Sequence, residues 1–79
     1  MKKAAEIAGW YGIVAILGAY ALVSFGVIGS DSAAFQLLNL TGALGVIWIT
    51  AIKGVTQSVV LNTVWAIIAL VALLRMVTA

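Results

Sequence analysis

The fold is decided by the uncharged run SAAFQLLNLTGALGVIWITAI, which extends from Ser32 to Ile52. Asp31 precedes this run and Lys53 follows it, so 21 consecutive residues carry no charge. An α-helix needs about 20 apolar residues to cross the hydrocarbon core of a bilayer. Because lipid offers backbone amides no hydrogen-bond partner, such a segment is expected to be helical throughout. We therefore predict a transmembrane helix over residues 33–52.

Similar uncharged runs lie on both sides of this segment. The run before it has 24 residues and the run after it has 21, and charged side chains bound both runs. Each run matches the length of one membrane crossing. We predict two further transmembrane helices, over residues 7–28 and 57–77. The first run is also too long for the apolar core of a signal peptide, so it is expected to remain in the protein.

Short polar segments separate the three predicted helices. Glycine is favoured just beyond a helix C-terminus, so Gly29 is expected to end the first helix and Gly54 the second. Thr56 is the predicted N-cap of the third helix, while three polar residues could cap the second, namely Ser30, Asp31 and Ser32. Turns this short place neighbouring helices antiparallel. The prediction is an all-α membrane protein, a single unit over residues 1–79 with its helices running up, down and up.

The composition excludes most other classes of protein. Hydrophobic residues make up 66% of the 79 residues and charged residues 8%, whereas a soluble domain has about a quarter charged residues. The chain has no cysteine and no histidine, which excludes disulfides, thiol chemistry and imidazole catalysis. The only carboxylates, Glu6 and Asp31, flank the first predicted helix at its two ends. We expect a protein that is not an enzyme and does not bind nucleic acid.

The basic residues predict the orientation in the membrane. Three lysines, Lys2, Lys3 and Lys53, fall on one side, whereas Arg75 and Asp31 fall on the other. Cytoplasmic segments carry an excess of lysine and arginine. We therefore expect a cytoplasmic N-terminus and an external C-terminus.

Small and polar residues recur along one face of each predicted helix. Such faces usually pack against other helices, because helix association in lipid depends on close approach and on buried polar groups. The stripes are Ala4, Ala8, Gly12, Ala15 and Ala19 in the first helix, Gln36, Asn39, Ala43 and Thr50 in the second, and Ser58, Asn62, Ala66 and Ala69 in the third. The residues that we expect to contact another helix or a partner are Gly12, Tyr20, Ser24, Asn39, Gly42, Asn62, Trp65 and Ala66.

Two asparagines lie inside the predicted spans, and each needs hydrogen-bond partners there. Asn39 and Asn62 are predicted to differ in depth by roughly 12 Å, so they cannot pair within one chain. We expect Asn39 to bond Tyr20 or Ser24 of the first helix. Asn62 would meet either the exposed backbone around Gly12 or Asn62 of a second copy. Both asparagines could serve as packing contacts or as a binding site.

The aromatic residues divide into two groups. Trp10, Tyr11 and Trp48 lie close to the end that carries the lysines and are predicted to form an interfacial belt. Trp65 lies near the middle of the third span, where its indole N–H needs a partner. That partner is either a packed group of this protein or a contact from outside, such as another subunit, a pigment, a quinone or a lipid tail.

Two sequence patterns carry a family resemblance. Leu-Asn-x-x-Gly occurs at residues 38–42 and Val-Leu-Asn-x-x-Trp at residues 60–65, and the first span contains the run from Gly12 to Leu22. Together they resemble an uncharacterised family of small three-helix bacterial inner-membrane proteins. The resemblance implies the fold and a location in the bacterial cytoplasmic membrane, but no activity.

The architecture also resembles the bacterial half-sized sugar transporters, the SemiSWEET group. Three helices in a short chain, with Asn62 in the third, are shared with that group, which works as homodimers. Its Pro-Gln motif is missing, because this chain contains no proline.

Two hypotheses for function follow. The first is a non-catalytic accessory or structural subunit that packs against a larger bioenergetic membrane complex, such as a photosynthetic core–antenna or respiratory complex. It would have no cofactor of its own but could contact lipid, quinone or pigment of that complex. The alternative is a homo-oligomeric, SemiSWEET-like transporter or channel, in which Asn39, Asn62 and Tyr20 line a route for a small neutral solute. The expected partners are membrane lipids and either a larger membrane-protein complex or a second copy of the chain.

Overall fold

The computed structural model describes residues 2–78, and these form three α-helices. Helix α1 is Lys2–Ser24, α2 is Ala33–Lys53 and α3 is Thr56–Thr78. Each helix is long and apolar enough to cross a membrane. The prediction of an all-α membrane protein with three transmembrane helices is confirmed.

Helix α1 begins earlier than predicted, at Lys2 rather than at Ile7. The prediction used Glu6 as the limit of the span, but a charge marks the edge of the hydrocarbon and not the end of a helix. Lysine and glutamate are good helix formers, so the helix continues beyond the apolar segment.

Helix α1 also ends earlier than predicted, at Ser24, and the glycine responsible is Gly26 rather than Gly29. Gly26 has a φ of +74°, the left-handed conformation that terminates many helices. Beyond it, the Val27 N–H donates to the Leu22 carbonyl over 2.8 Å. This bond satisfies one of the last carbonyls of the helix. Because α1 ends at Ser24, residues 25–32 form a longer connection than the predicted turn.

Ser32 is the N-cap of α2, which selects one of the three predicted candidates. Its Oγ accepts a hydrogen bond from the Phe35 N–H over 3.2 Å and donates to the Gly29 carbonyl over 2.7 Å. The bond to Phe35 satisfies one of the free amides at the start of the helix. The observed end of α2, at Lys53, lies one residue beyond the prediction.

Ser32→Ala is expected to lower the free energy of unfolding by about 1 kcal/mol, because it removes this cap. Ser30→Ala is the matched control, since the Ser30 side chain makes no hydrogen bond among residues 2–78. Equilibrium unfolding of both variants in detergent, followed by circular dichroism, gives the comparison. Equal stability of the two variants would contradict the capping role.

The turn between α2 and α3 is as short as predicted. Gly54 has a φ of +74°, and the Val55 N–H donates to the Thr50 carbonyl over 2.9 Å, so Gly54 is the residue that ends α2. Thr56 is the first residue of α3 rather than its N-cap. Val55 occupies the cap position, where its carbonyl accepts from the Val59 N–H over 3.2 Å.

Helix α2 is the centre of the fold. It packs antiparallel against both α1 and α3, whereas among residues 2–78 no Cα atom of α1 lies within 8 Å of a Cα atom of α3. The molecule measures 37 × 26 × 20 Å between its Cα atoms. Within residues 2–78, each outer helix therefore packs against α2 alone.

The two outer helices lie on adjacent sides of α2 rather than on opposite sides. Gly42 and Gly45 face α1, whereas Asn39 faces α3. At 3.6 residues per turn, the direction of Asn39 around the axis of α2 differs from those of Gly42 and Gly45 by about 60° and about 120°. The resulting angle leaves an opening, here called the α1–α3 groove, with a volume of about 160 Å³. The groove is lined by Ile16, Leu61, Asn62 and Trp65.

Candidate functional site

The seam between α1 and α2 is a close contact between two backbones. A Cβ atom at Gly12 would collide with the Gly42 carbonyl oxygen and lie 2.8 Å from Cγ2 of Val46. A Cβ atom at Gly42 would lie 3.0 Å from the Gly12 carbonyl oxygen. Neither position has room for a side chain. The structure thus brings Gly12 and Gly42 together in the small-residue packing that is common between membrane helices.

At the start of α1, the residues that face α2 are not all those of the predicted stripe. Ala4 is exposed, whereas Ala5 and Gly9 are buried. A Cβ atom at Gly9 would lie 2.5 Å from Cγ2 of Ile49. On α2, Gly45 lies against the backbone of α1. The spacing of four residues used for the prediction drifts around a helix with 3.6 residues per turn, which explains why Ala4, the first member of the stripe, lies outside the seam. The backbone of Ala8, the second member, contacts Gly45.

Tyr11 and Thr41 form a hydrogen bond across the same seam that the sequence did not predict. The Tyr11 hydroxyl lies 2.6 Å from Oγ1 of Thr41, which itself donates to the Leu37 carbonyl over 2.8 Å. Because the Thr41 hydrogen is used in that bond, Tyr11 is the donor to Thr41. Tyr11 belongs to the predicted interfacial belt, and the structure adds that its hydroxyl bonds a neighbouring helix.

Asn39 and Trp65 connect α2 to α3. Asn39 is 4% exposed; its Nδ2 donates to the Phe35 carbonyl over 2.9 Å, and its Oδ1 accepts from Nε1 of Trp65 over 3.2 Å. The prediction that Asn39 bonds Tyr20 or Ser24 is wrong. Depth alone suggested α1, but Asn39 lies on the side of α2 that faces α3. Trp65 therefore finds its indole partner inside the chain.

Three other predicted contact residues, Tyr20, Ser24 and Ala66, take no part in the hydrogen bond between Asn39 and Trp65. The Tyr20 side chain is 71% exposed and Ser24, the last residue of α1, is also exposed. Neither side chain makes a hydrogen bond within residues 2–78. Ala66 is 8% exposed and, with the fully buried Ala69, lies on the face of α3 that packs against α2. Gly12 and Gly42 therefore lie in the α1–α2 seam, and Asn39, Trp65 and Ala66 lie in the α2–α3 seam. Tyr20 and Ser24 lie in neither seam.

Asn62 is half-buried and bonds its own helix. Its Nδ2 donates to the Ser58 carbonyl over 2.9 Å and to Ser58 Oγ over 3.2 Å. It lines the α1–α3 groove with Ile16 of α1, which agrees with its predicted depth, but its amide makes no hydrogen bond to α1. Asn39 and Asn62 do not bond each other, as expected.

One ion pair joins the ends of α1 and α2. Nζ of Lys53 lies 2.8 Å from Oε1 of Glu6, and both side chains are well exposed. Such a pair contributes about 0–1 kcal/mol, so it does little for stability. It does show that Glu6 and Lys53 lie at the same end of the molecule. Lys2 begins α1 at this end, whereas Asp31 lies in the connection at the other end.

Comparison with known proteins yields one match. A model of an uncharacterised family matches residues 5–79, which is nearly the whole chain. No curated protein and no solved structure matches the chain. The comparisons therefore agree with the first resemblance, to an uncharacterised family, and provide no support for the resemblance to the SemiSWEET group.

Proposed function

The chain belongs to the uncharacterised family whose model covers residues 5–79, and we propose that it is a non-catalytic accessory subunit. In this role it packs against a larger bioenergetic complex, such as a photosynthetic core–antenna or respiratory complex. The proposed location is the bacterial cytoplasmic membrane. The proposed orientation has Lys2, Lys3 and Lys53 on the cytoplasmic side, in accordance with the positive-inside rule.

The proposal rests on the hydrogen bonds of the polar side chains within the helices, which join one helix of the chain to another. Asn39 and Trp65 hold α2 to α3, while Tyr11 and Thr41 hold α1 to α2. These groups serve packing and do not converge on an enclosed chamber. The charged side chains lie near the helix ends or in the connections. A helical unit of this kind is suited to form a stable bundle in lipid and to pack against a neighbouring membrane protein.

A solute route receives less support from the same contacts. Asn39 and Asn62 border two separate shallow cavities of about 140 and 160 Å³, which have only Trp65 in common. Tyr20, the third residue expected along such a route, lines neither cavity. We therefore propose the accessory role alone.

Gly18 supports a contact with a partner outside the chain. Gly9 and Gly12 pack against α2, but a Cβ atom at Gly18 would meet nothing within 4 Å. A glycine in the interior of a helix is less favourable than alanine by about 1 kcal/mol, and here no contact within the chain explains it. On the surface of a membrane helix, a glycine allows the backbone of another helix to come close. We assign the side of α1 around Gly18 as the face that docks on the larger complex.

Gly18→Leu is expected to reduce recovery of the larger complex by about tenfold, because the added side chain blocks the close approach of a neighbouring helix. Tagged protein is extracted from the native membrane in mild detergent and separated on a native gel, and mass spectrometry identifies proteins that co-migrate at fixed stoichiometry. The wild type should migrate with a large complex.

Thr63→Leu is the matched control, since Thr63 is exposed on α3 and bonds only the Val59 carbonyl of its own helix. This variant adds bulk on a different face and should migrate with the complex as the wild type does. Migration of the wild type as a small free species would refute the accessory role. Unchanged recovery of the complex with Gly18→Leu would refute the assigned face.

A further inference from the structure

The Ser58–Asn62 pair on α3 has hydrogen-bonding capacity that the chain does not use. Both bonds of Asn62 come from Nδ2, one to the Ser58 carbonyl and one to Ser58 Oγ. The Ser58 carbonyl is an acceptor only, so this bond identifies Nδ2 as the atom that faces it. Among residues 2–78, Oδ1 of Asn62 has no donor and the Ser58 hydroxyl hydrogen has no acceptor. One free acceptor and one free donor are therefore left side by side.

These free groups lie where water is scarce. Asn62 is about 9 Å along the helix axis from Thr56, at the start of a helix that is long enough to cross the membrane. A polar group without a partner at that depth is unfavourable, because hydrocarbon cannot bond it. Both residues of the pair are half-buried, and Asn62 lines the α1–α3 groove, so neither side chain is closed off from a neighbouring molecule.

Helix α3 is also the least covered of the three helices. In its most apolar stretch 11% of the residues are buried, compared with 22% in α1 and in α2. On the side that borders the groove, Leu61 is 60% exposed and Trp65 is 46% exposed. Asn62 of the unsatisfied pair thus lies beside exposed apolar side chains of α3.

We propose that a second copy of this chain occupies the groove, with the two α3 helices side by side and parallel about a two-fold axis along the membrane normal. In this arrangement equivalent residues lie at the same depth. The Asn62 amide leans back towards Ser58, to which it is bonded, so Asn62 Oδ1 and Ser58 Oγ lie at similar depths. The Ser58 hydroxyl of each copy then donates to Asn62 Oδ1 of the other, and two equivalent bonds satisfy all four free groups.

The second copy fits these groups better than a lipid chain does. An acyl tail has no donor for Oδ1 and no acceptor for the hydroxyl. A second α3 provides one of each at the required depth, and it provides Leu61 and Trp65 to cover the same residues of the first. This inference goes beyond the accessory role and uses a different face from the one around Gly18.

Two variants test the proposed bonds through the dimer dissociation constant, measured by energy transfer between labelled copies in lipid nanodiscs or mild detergent. Asn62→Leu and Ser58→Ala should each raise this constant about tenfold or more, because each removes both symmetric bonds. Thr63→Val is the control at the same depth, since Thr63 bonds only its own helix, and it should leave the constant unchanged. Gly18→Leu should also leave it unchanged, so that failure of the dimer and failure of the accessory role are distinguishable.

Disulfide trapping gives a second measurement that keeps Ser58 and Asn62 intact. The chain contains no cysteine, so single cysteines can be placed at will. Leu61→Cys, on the groove side, should cross-link two copies in the membrane, whereas Leu74→Cys, on roughly the opposite side of α3, should not. A wild type that remains monomeric at every protein-to-lipid ratio would overturn the proposal. So would a dimer that Asn62→Leu and Ser58→Ala leave unchanged, or a different protein trapped at Leu61→Cys.

Discussion

Replacing Gly12 with alanine is expected to lower the free energy of unfolding by about 1–3 kcal/mol. The added methyl group would collide with the Gly42 carbonyl oxygen and lie 2.8 Å from Cγ2 of Val46. A backbone oxygen in the middle of a helix cannot move aside as the tip of a long side chain can. The helices must therefore separate, which also weakens the contacts on either side of the seam.

The matched control is Gly18→Ala, the same change on the same helix. Nothing lies within 4 Å of a Cβ atom at Gly18, and alanine is the better helix former, so this variant should gain up to about 1 kcal/mol. Equilibrium unfolding in mixed detergent micelles, followed by circular dichroism, compares both with the wild type. If Gly12→Ala proves as stable as Gly18→Ala, the close backbone contact between α1 and α2 is refuted.

Breaking the bond between Asn39 and Trp65 is expected to have the second largest effect on stability. Trp65→Phe removes the donor and leaves Oδ1 of a 4% exposed asparagine without a partner, which costs about 1–3 kcal/mol. Asn39→Leu removes the acceptor and leaves the indole N–H without a partner near the middle of the span, where hydrocarbon cannot bond it. We therefore expect both changes to be destabilising, each by about 1–3 kcal/mol.

The double-mutant cycle of Asn39→Leu and Trp65→Phe separates this bond from the loss of packing. The coupling energy should be about 0.6 kcal/mol and at most about 1.7 kcal/mol, the average and the maximum found for hydrogen bonds between membrane helices. Trp10→Phe is the control for the loss of an indole ring, because Trp10 is 66% exposed and makes no side-chain hydrogen bond within residues 2–78. A coupling energy near zero would show that the two side chains stabilise the protein independently.

Length, charge and glycine patterns were reliable guides to the helices themselves. The uncharged runs predicted three spans, Gly54 was correctly identified as the end of α2, and Ser32 was among the expected caps. The ends of α1 were not predicted well. A charge such as Glu6 reports where hydrocarbon ends, and the sequence contains two glycines, Gly26 and Gly29, of which only backbone conformation selects one.

The partners of the polar side chains were harder to predict than the helices that carry them. Depth along the chain correctly separated Asn39 from Asn62 but wrongly directed Asn39 towards α1. The missing quantity is the direction in which a residue points around its helix. Part of that signal was present, since Asn39 is not aligned with Gly42 and Gly45, the residues that approach α1.

The amino-acid sequence by itself determined that the chain lies in a membrane and how many times it crosses, because transfer of apolar side chains and backbone amides into lipid depends on composition and length alone. Only the tertiary structure decided which glycines touch, which groups bond Asn39 and Tyr11, and that Ser58 and Asn62 keep unused capacity at the groove. These contacts depend on the rotation of each helix about its axis and on the angle between α1 and α3 around α2. Rotations and angles are set by many small packing contacts acting together, and no single stretch of sequence contains them.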